Sequence, residues 1–140
     1  MENKDAEALL RRAYELDGTD PVETRALYRD WAQTYDGTML DGLAYVSPMK
    51  IAEQVSGLVT NPSAAILDVG CGTGLLSAFL AEQGFTRIDG LDYSAEMLNV
   101  AKGKGRISEA FMRDLNEPLD MAPASYDVLA STGTFTHGHV

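Results

Sequence analysis

The feature that most constrains this chain is a glycine-rich segment between an apolar run and a helical pattern. Residues 64–69 are mostly apolar and end in Asp68-Val69-Gly70, which is typical of a buried parallel strand. Glycine then recurs at every second position up to Gly74, and helical spacing begins at Leu75. Alternate glycines remove Cβ atoms where a ligand lies against the backbone. The segment therefore predicts a strand, loop and helix that hold a carboxylate or phosphate at the helix N-terminus.

The rest of the chain alternates between strand and helix patterns. Further strands are predicted at 87–91, 108–112 and 126–131, with helices at 75–82 and 94–102. This alternation implies right-handed crossovers and a mostly parallel sheet with helices on both faces. We therefore predict an α/β, Rossmann-like fold of about four strands.

The first third of the chain is predicted to be helical. Apolar spacing indicates helices over 5–17, from the Asp20-Pro21 start signal to near Gly37, and around Ile51, Val55 and Leu58, after a loop containing Pro48. The sequence is thus divided into an N-terminal helical cap, residues 1–45, and a nucleotide-binding core, residues 46–140.

Composition limits the classes of partner. The formal net charge is −10, with 21 acidic against 11 basic side chains, so binding of a phosphate backbone is disfavoured. The basic stretch 102–106 is interpreted as a solvated helix end and turn. No apolar run approaches the roughly 20 residues of a membrane helix, and the single cysteine, Cys71, excludes an intramolecular disulfide. We expect a cytoplasmic protein without nucleic-acid or membrane partners.

The loop is not a dinucleotide fingerprint. That fingerprint requires a glycine three residues after its second one, and Leu75 stands there. A nucleotide-binding oxidoreductase is therefore the least favoured reading. About 20 residues after the loop, Asp92 ends the next strand, where a carboxylate can accept both hydroxyls of a ribose. The alternative is that Asp92 only N-caps the helix starting near Ser94.

The run from Ile66 to Ala101 resembles class I S-adenosylmethionine-dependent methyltransferases. Residues 68–74, DVGCGTG, match the first motif of that family, and residues 90–98, GLDYSAEML, match the second. Residues 31–36 and 133–135 are similar to its small-molecule branch, with the Williams–Beuren-region methyltransferase-like proteins as the nearest sub-group. The resemblance implies S-adenosylmethionine as the cofactor and methyl transfer to a small-molecule acceptor.

The resemblance also implies which residues bind the cofactor. Asp68 would anchor the methionine amino group, and Asp92 would hold the ribose hydroxyls. The adenine would lie between Tyr93, Met97, Asp114 and Leu115, although Asp114 has the alternative of being a surface loop acid. The loop residues that would carry the methionine and sugar are Gly70, Cys71, Gly72, Thr73 and Gly74.

Aromatic and histidine residues outside these motifs have less defined roles. Tyr35 follows Tyr28 and Trp31 in an aromatic stripe, and the resemblance implies that a residue near Tyr35 closes over the cofactor, where a sulfonium attracts aromatic faces. Packing is the alternative for all three. His137 follows the fourth strand and is the candidate general base, with a polar tail as the alternative. No metal site is predicted.

The fold is expected to be incomplete. Class I enzymes have seven strands, and in their order of third, second, first and fourth the last predicted strand here is an open edge. Its apolar residues 128–130 invite pairing with a second chain. We therefore expect a C-terminally truncated fragment, or a chain completed by self-association or a partner. The alternative function is a non-catalytic module that binds S-adenosylmethionine or S-adenosylhomocysteine and needs a partner.

Overall fold

The computed structural model describes residues 8–9, 11–12, 15, 21–32, 36 and 46–135. Within these ranges the elements, in chain order, are α1 (Pro21–Trp31), α2 (Ser47–Leu58), β1 (Ala65–Val69), α3 (Leu75–Glu82), β2 (Arg87–Asp92), α4 (Ala95–Gly103), β3 (Ala110–Met112) and β4 (Val128–Ala130). The predicted alternation is confirmed. The predicted helix over 5–17 and the predicted end of α1 near Gly37 lie mostly outside the described residues.

The four strands form one parallel sheet in the order β3-β2-β1-β4. β1 lies in the centre, with Asp68 beside Gly90 of β2 on one side and beside Ala130 of β4 on the other. The carboxyl ends of β1 and β2 therefore meet, and the loops that leave them are neighbours. This arrangement confirms the Rossmann-like α/β prediction.

Two apolar clusters hold the helices in place. The larger one joins α2 and α3 to the sheet through Ala52, Ile66, Leu76, Leu80, Phe85, Ile88 and Ala130. The second joins α1 to α4 and consists of Leu27, Trp31, Ala32 and Met97. Trp31 is 2% exposed and its ring is stacked with that of Tyr28, with centroids 6.1 Å apart. These two aromatic residues of the predicted stripe therefore belong to packing.

Two details of α2 differ from the prediction. Pro48 lies in the first helical turn rather than in the preceding loop, a place where its missing N–H is not needed. Leu58 is 83% exposed, whereas the apolar spacing placed it with Ile51 and Val55. The helix ends at Leu58, and Val59 turns into extended backbone and packs against the core in its place.

Across the described parts of the chain, no helix combines the length and the apolar character that crossing a bilayer requires.

Candidate functional site

The glycine loop leaves the central strand and leads directly into α3. Gly72 has a φ of +53°, and a Cβ built on it would meet nothing within 4 Å, so the space beside its backbone is open. Gly74 is the N-cap of α3 with a φ of +81°. An L side chain rarely adopts such angles. The loop therefore presents bare backbone to a ligand next to the free N–H groups of α3.

The first glycine of the loop is covered by the segment that follows β4. A Cβ built on Gly70 would overlap Thr134, lying 2.5 Å from its Cγ2 atom. The Ser131 hydroxyl also donates to the Val69 carbonyl oxygen at 2.8 Å. Residues 131–134 therefore close over Gly70 while Gly72 stays open. A positive φ can be anticipated from a glycine, but nothing in the sequence indicated which side chain would fill the space.

Asp92 joins the end of β2 to the glycine loop. Its Oδ2 atom accepts a hydrogen bond from the Gly72 N–H at 2.8 Å, and its Oδ1 atom accepts one from the Ser94 N–H at 2.9 Å. Burial raises the pKa of Asp92, and these hydrogen bonds oppose the rise. The N-cap of α4 is Ser94, whose hydroxyl accepts from the Met97 N–H at 3.2 Å. The alternative in which Asp92 is that N-cap is therefore wrong.

Asp68 is almost completely buried at the carboxyl end of β1, with 1% of its surface exposed. The Ser77 hydroxyl of α3 donates to its Oδ2 atom at 2.7 Å. Burial raises the pKa of Asp68 to about 7, with a smaller upward contribution from Asp92 and a downward one from Ser77. A carboxyl group with this pKa is partly protonated at neutral pH, and a nearby cation stabilises its charged form. Ser77 was not predicted, although it is the polar residue in an otherwise apolar helical turn.

Cys71 is buried beneath the loop. Its backbone N–H donates to the Leu91 carbonyl oxygen at 2.9 Å. Burial, together with the charges of Asp68 and Asp92, raises the pKa of the Cys71 thiol. The protonated thiol is a packing group and a poor nucleophile.

The residues expected near the adenine occupy different environments. Tyr93 is half-buried beneath the Arg25 guanidinium, which lies 5.1 Å from the ring centroid. Met97 is 1% exposed and packs in the cluster of α1 and α4. Asp114 accepts from the Asn116 N–H at 2.9 Å and is half-buried, as is Leu115. The adenine contacts of these residues stay predictions. Tyr35 and His137 lie outside the described residues.

Thr73 connects the loop to the N-terminal part of the chain. It is 1% exposed, and its hydroxyl donates to Asp36. The same carboxylate forms an ion pair with Lys104, the C-cap residue of α4. Residues 102–106 form the predicted solvated helix end and turn, within which Lys104 is partly buried by this ion pair. Charge patterning along the chain did not reveal this pair because its members are 68 positions apart.

A concavity of about 360 Å³ lies at the amino ends of the strands, opposite the glycine loop. Its lining residues are Ala65, Arg87, Asp89, Ser108, Ser125 and Tyr126. The Tyr126 hydroxyl donates to Asp89 Oδ2 at 2.8 Å, and partial burial and this carboxylate raise the pKa of Tyr126 to about 12. None of the predicted site residues lines this cleft.

Comparison with known proteins identifies the class. Residues 66–140 match the methyltransferase domain family. Human methyltransferase-like protein 27 is 32% identical over 124 residues, which cover 86% of this chain and 50% of the relative. The ubiquinone biosynthesis O-methyltransferase of Sodalis glossinidius is 29% identical over 142 residues, which cover 94% of this chain and 54% of the relative.

A solved structure agrees with these relatives. A Methanococcus maripaludis protein assigned as an S-adenosyl-L-methionine-dependent methyltransferase superposes with a TM-score of 0.62 at 25% identity, covering 76% of this chain and 50% of that one. The chain therefore belongs to the methyltransferase domain family, and the predicted resemblance to class I S-adenosylmethionine-dependent methyltransferases is confirmed. The chain spans about half the length of the relatives that it matches.

The residues present fit the cofactor that defines this class. The open backbone at Gly72, the buried carboxyl of Asp68 and the half-buried carboxyl of Asp92 lie around one loop. A buried carboxyl group suits an ammonium, and a carboxylate at the end of the second strand suits a ribose.

Proposed function

We propose that this chain forms the cofactor-binding part of an S-adenosylmethionine-dependent methyltransferase that acts on a small-molecule acceptor. The observation that carries the proposal is the open backbone of Gly72 with its N–H held by Asp92. Through this hydrogen bond the Asp92 carboxylate, which we expect to bind the ribose, lies next to the glycine loop. We expect the sugar and the methionine moiety to lie against that loop.

Each residue of the site has a role in this proposal. Asp68 binds the amino group of the methionine moiety, and Asp92 accepts from the ribose hydroxyls through the lone pairs that its backbone hydrogen bonds leave free. The adenine is surrounded by Tyr93, Met97, Asp114 and Leu115. Tyr35 belongs to the cap that residues 1–45 form. The core of residues 46–140 supplies the rigid loop.

S-adenosylmethionine supplies a methyl group that its positive sulfur has already activated. The chain's own contribution is therefore orientation and exclusion of water. The loop fixes one end of the cofactor through Gly72, and the strand ends fix the sugar through Asp92. A general base is needed only if the acceptor loses a proton, and His137 is our candidate for it.

The proposal of a small acceptor is supported by the match to the ubiquinone biosynthesis enzyme over 94% of this chain. The proposal includes a cytoplasmic location, and the buried free thiol of Cys71 is compatible with a reducing compartment.

Calorimetric titration with S-adenosylhomocysteine and with NAD tests the cofactor. We expect S-adenosylhomocysteine to bind and NAD to bind far more weakly. Asp92→Asn should weaken S-adenosylhomocysteine about tenfold or more, because hydrogen bonds to charged groups contribute about 1.5–3 kcal/mol. Asp89→Asn, three residues before Asp92 on the same strand and lining the other cleft, is the matched control and should leave the affinity unchanged. Tighter binding of NAD, or binding of neither compound, would contradict the proposal.

A non-catalytic binding module is the second candidate, and it is favoured by the open β4 edge, since β4 pairs only with β1 in the described part of the sheet. A methyl-transfer assay separates the two candidates. It should compare this chain with one extended through the further strands of its relatives, over a panel of small molecules and peptides. Cofactor binding by the extended chain without any transfer would favour the module.

A further inference from the structure

Three contacts join the N-terminal segment to residues of the proposed cofactor site. The Arg25 guanidinium lies over the Tyr93 ring, and α1 packs against Met97. The third contact is polar: Asp36 accepts from the Thr73 hydroxyl and pairs with Lys104. The first two contacts lie beside the predicted adenine position, whereas the third reaches the glycine loop itself.

The polar contact is shielded from water on the loop side. With Asp36 in place Thr73 is 1% exposed, so bulk water does not compete for its hydroxyl in this arrangement. The Asp36 and Lys104 side chains are 32% and 26% exposed, so salt screens their attraction less than it screens a fully exposed pair. The Asp36 carboxylate thus accepts a hydrogen bond from the buried Thr73 hydroxyl and also pairs with the half-buried Lys104 ammonium. Removing the carboxylate leaves both groups without this partner.

Thr73 stands between the two glycines that shape the loop. Gly72 donates its N–H to Asp92, and Gly74 begins α3 with positive φ. Glycine backbones have many accessible conformations, and the fixed Thr73 side chain limits those of its two neighbours. Fixing the Thr73 side chain therefore also fixes the loop backbone against which the proposed ligand lies.

We infer that Asp36 is a positioning residue of the cofactor site, which couples docking of the N-terminal segment to cofactor binding. The inference rests on the proposed function. Asp36 contacts Thr73 in the glycine loop and Lys104 at the end of α4, so it joins these two parts of the site to each other and to the N-terminal part of the chain. Linkage then requires that cofactor binding strengthen this docking as much as docking strengthens binding.

The test combines affinity with protection from protease. Asp36→Asn and Lys104→Met each remove the charge pair while keeping side-chain volume, and both should weaken S-adenosylhomocysteine about fivefold. The double variant should bind no more weakly than either single variant, since they break one interaction. Lys102→Met, an exposed lysine two residues earlier, is the matched control and should bind as wild type does.

Trypsin cleavage after Arg25 and Arg29 reports docking. S-adenosylhomocysteine should slow this cleavage in the wild-type chain and slow it much less in Asp36→Ala. If Asp36→Ala does not fold, as judged by thermal unfolding, the same comparison on Asp36→Asn and Lys104→Met decides. Wild-type affinity and protection in the variants, or additive losses in the double variant, would overturn the role of Asp36. Failure of the wild-type chain to bind S-adenosylhomocysteine would instead contradict the proposed function.

Discussion

At the scale of single residues, Asp68 is subject to two opposed requirements. Burial favours its neutral form, and the Ser77 hydroxyl favours the charged form. In the proposed function this carboxyl group holds a cationic amino group, which also favours the charged form. Binding of the cofactor should therefore drive a proton off Asp68 near neutral pH.

This linkage predicts the pH dependence of binding. Below the Asp68 pKa of about 7, affinity for S-adenosylhomocysteine should rise with pH by up to about tenfold per unit, and it should level off above about pH 8. Calorimetry over this range measures the slope. Asp68→Asn should bind about tenfold more weakly at the plateau and show a flat profile, while Asp89→Asn keeps the wild-type slope. A pH-independent affinity in the wild type would contradict the role of Asp68.

The sequence located only some residues of the site. Asp92 was predicted from its place at a strand end about 20 residues after the glycines, and Asp68 was predicted from the resemblance to the family's first motif. Ser77, Thr134 and Asp36 were missed because each reaches its partner through tertiary packing. The partner of Asp36 in the loop is 37 positions away, and single-sequence periodicity holds no information over such a distance.

At the scale of elements, β2 and the glycine loop are packed against each other without spare room. The Cys71 N–H donates to the Leu91 carbonyl oxygen, which brings the loop onto the strand. Next to Leu91, a Cβ built on Gly90 would lie 2.8 Å from the Cys71 Sγ atom and 2.9 Å from the Ile107 Cδ1 atom. The Cys71 sulfur therefore occupies the space that a side chain at position 90 would need.

Adding a methyl group there should destabilise the chain. We expect Gly90→Ala to lower the free energy of unfolding by about 1–3 kcal/mol, the range for overpacking, as measured by urea denaturation. Cys71→Ala combined with Gly90→Ala should recover part of the loss, because it removes the colliding sulfur. Gly57→Ala in α2 is the matched control: nothing lies within 4 Å of its added Cβ, so it should gain about 0.5–1 kcal/mol. Wild-type stability of Gly90→Ala would refute the packing argument.

The elements themselves were largely predictable. Apolar spacing located α3 at its observed bounds, residues 75–82, because its flanking signals are a glycine loop and Gly84. β3 and β4 are shorter than predicted. Ser108, Glu109 and Asp127 still exchange backbone hydrogen bonds with neighbouring strands, but they lie outside the regular ladder, and a single sequence does not show where that ladder ends. Leu58 is a further example. Apolar periodicity predicts which face of a helix is apolar, but where the helix ends determines whether the last residue of that face is buried.

At the scale of the whole molecule, the sheet ends in a short apolar strand. β4 pairs with β1, and no further strand lies beyond it within the described residues. Leu129 in its middle is 69% exposed. An unpaired strand edge with an apolar surface favours association with another chain, while a net charge of −10 opposes it.

These two effects predict salt-dependent self-association. Sedimentation velocity should show larger species at high salt, because screening removes the repulsion between acidic chains. Leu129→Lys should reduce association, although it also reduces the net negative charge. Leu58→Lys changes an equally apolar side chain, 83% exposed on α2, by the same charge and should leave association unchanged. Equal effects of the two substitutions would show that the β4 edge is not the contact.

Topology was the most predictable property at this scale, because right-handed crossovers leave few arrangements for alternating strands and helices. The acceptor was the least predictable. The identity of the acceptor depends on surfaces assembled from distant parts of a protein. The glycine loop and the strand ends around Asp92 carry information only about the methyl donor.

The packing of α1 against Met97 bears on how the protein can be shortened for laboratory work. A division between a cap and a core at residue 45 follows the change in sequence pattern, yet the cluster of Leu27, Trp31, Ala32 and Met97 crosses it. Cutting there would bare an apolar face of α4 that is now covered, and such faces promote aggregation. Leu9 also packs against this cluster, so a fragment that keeps it covered starts before Leu9, and trimming should follow the buried contacts rather than the boundary suggested by the sequence.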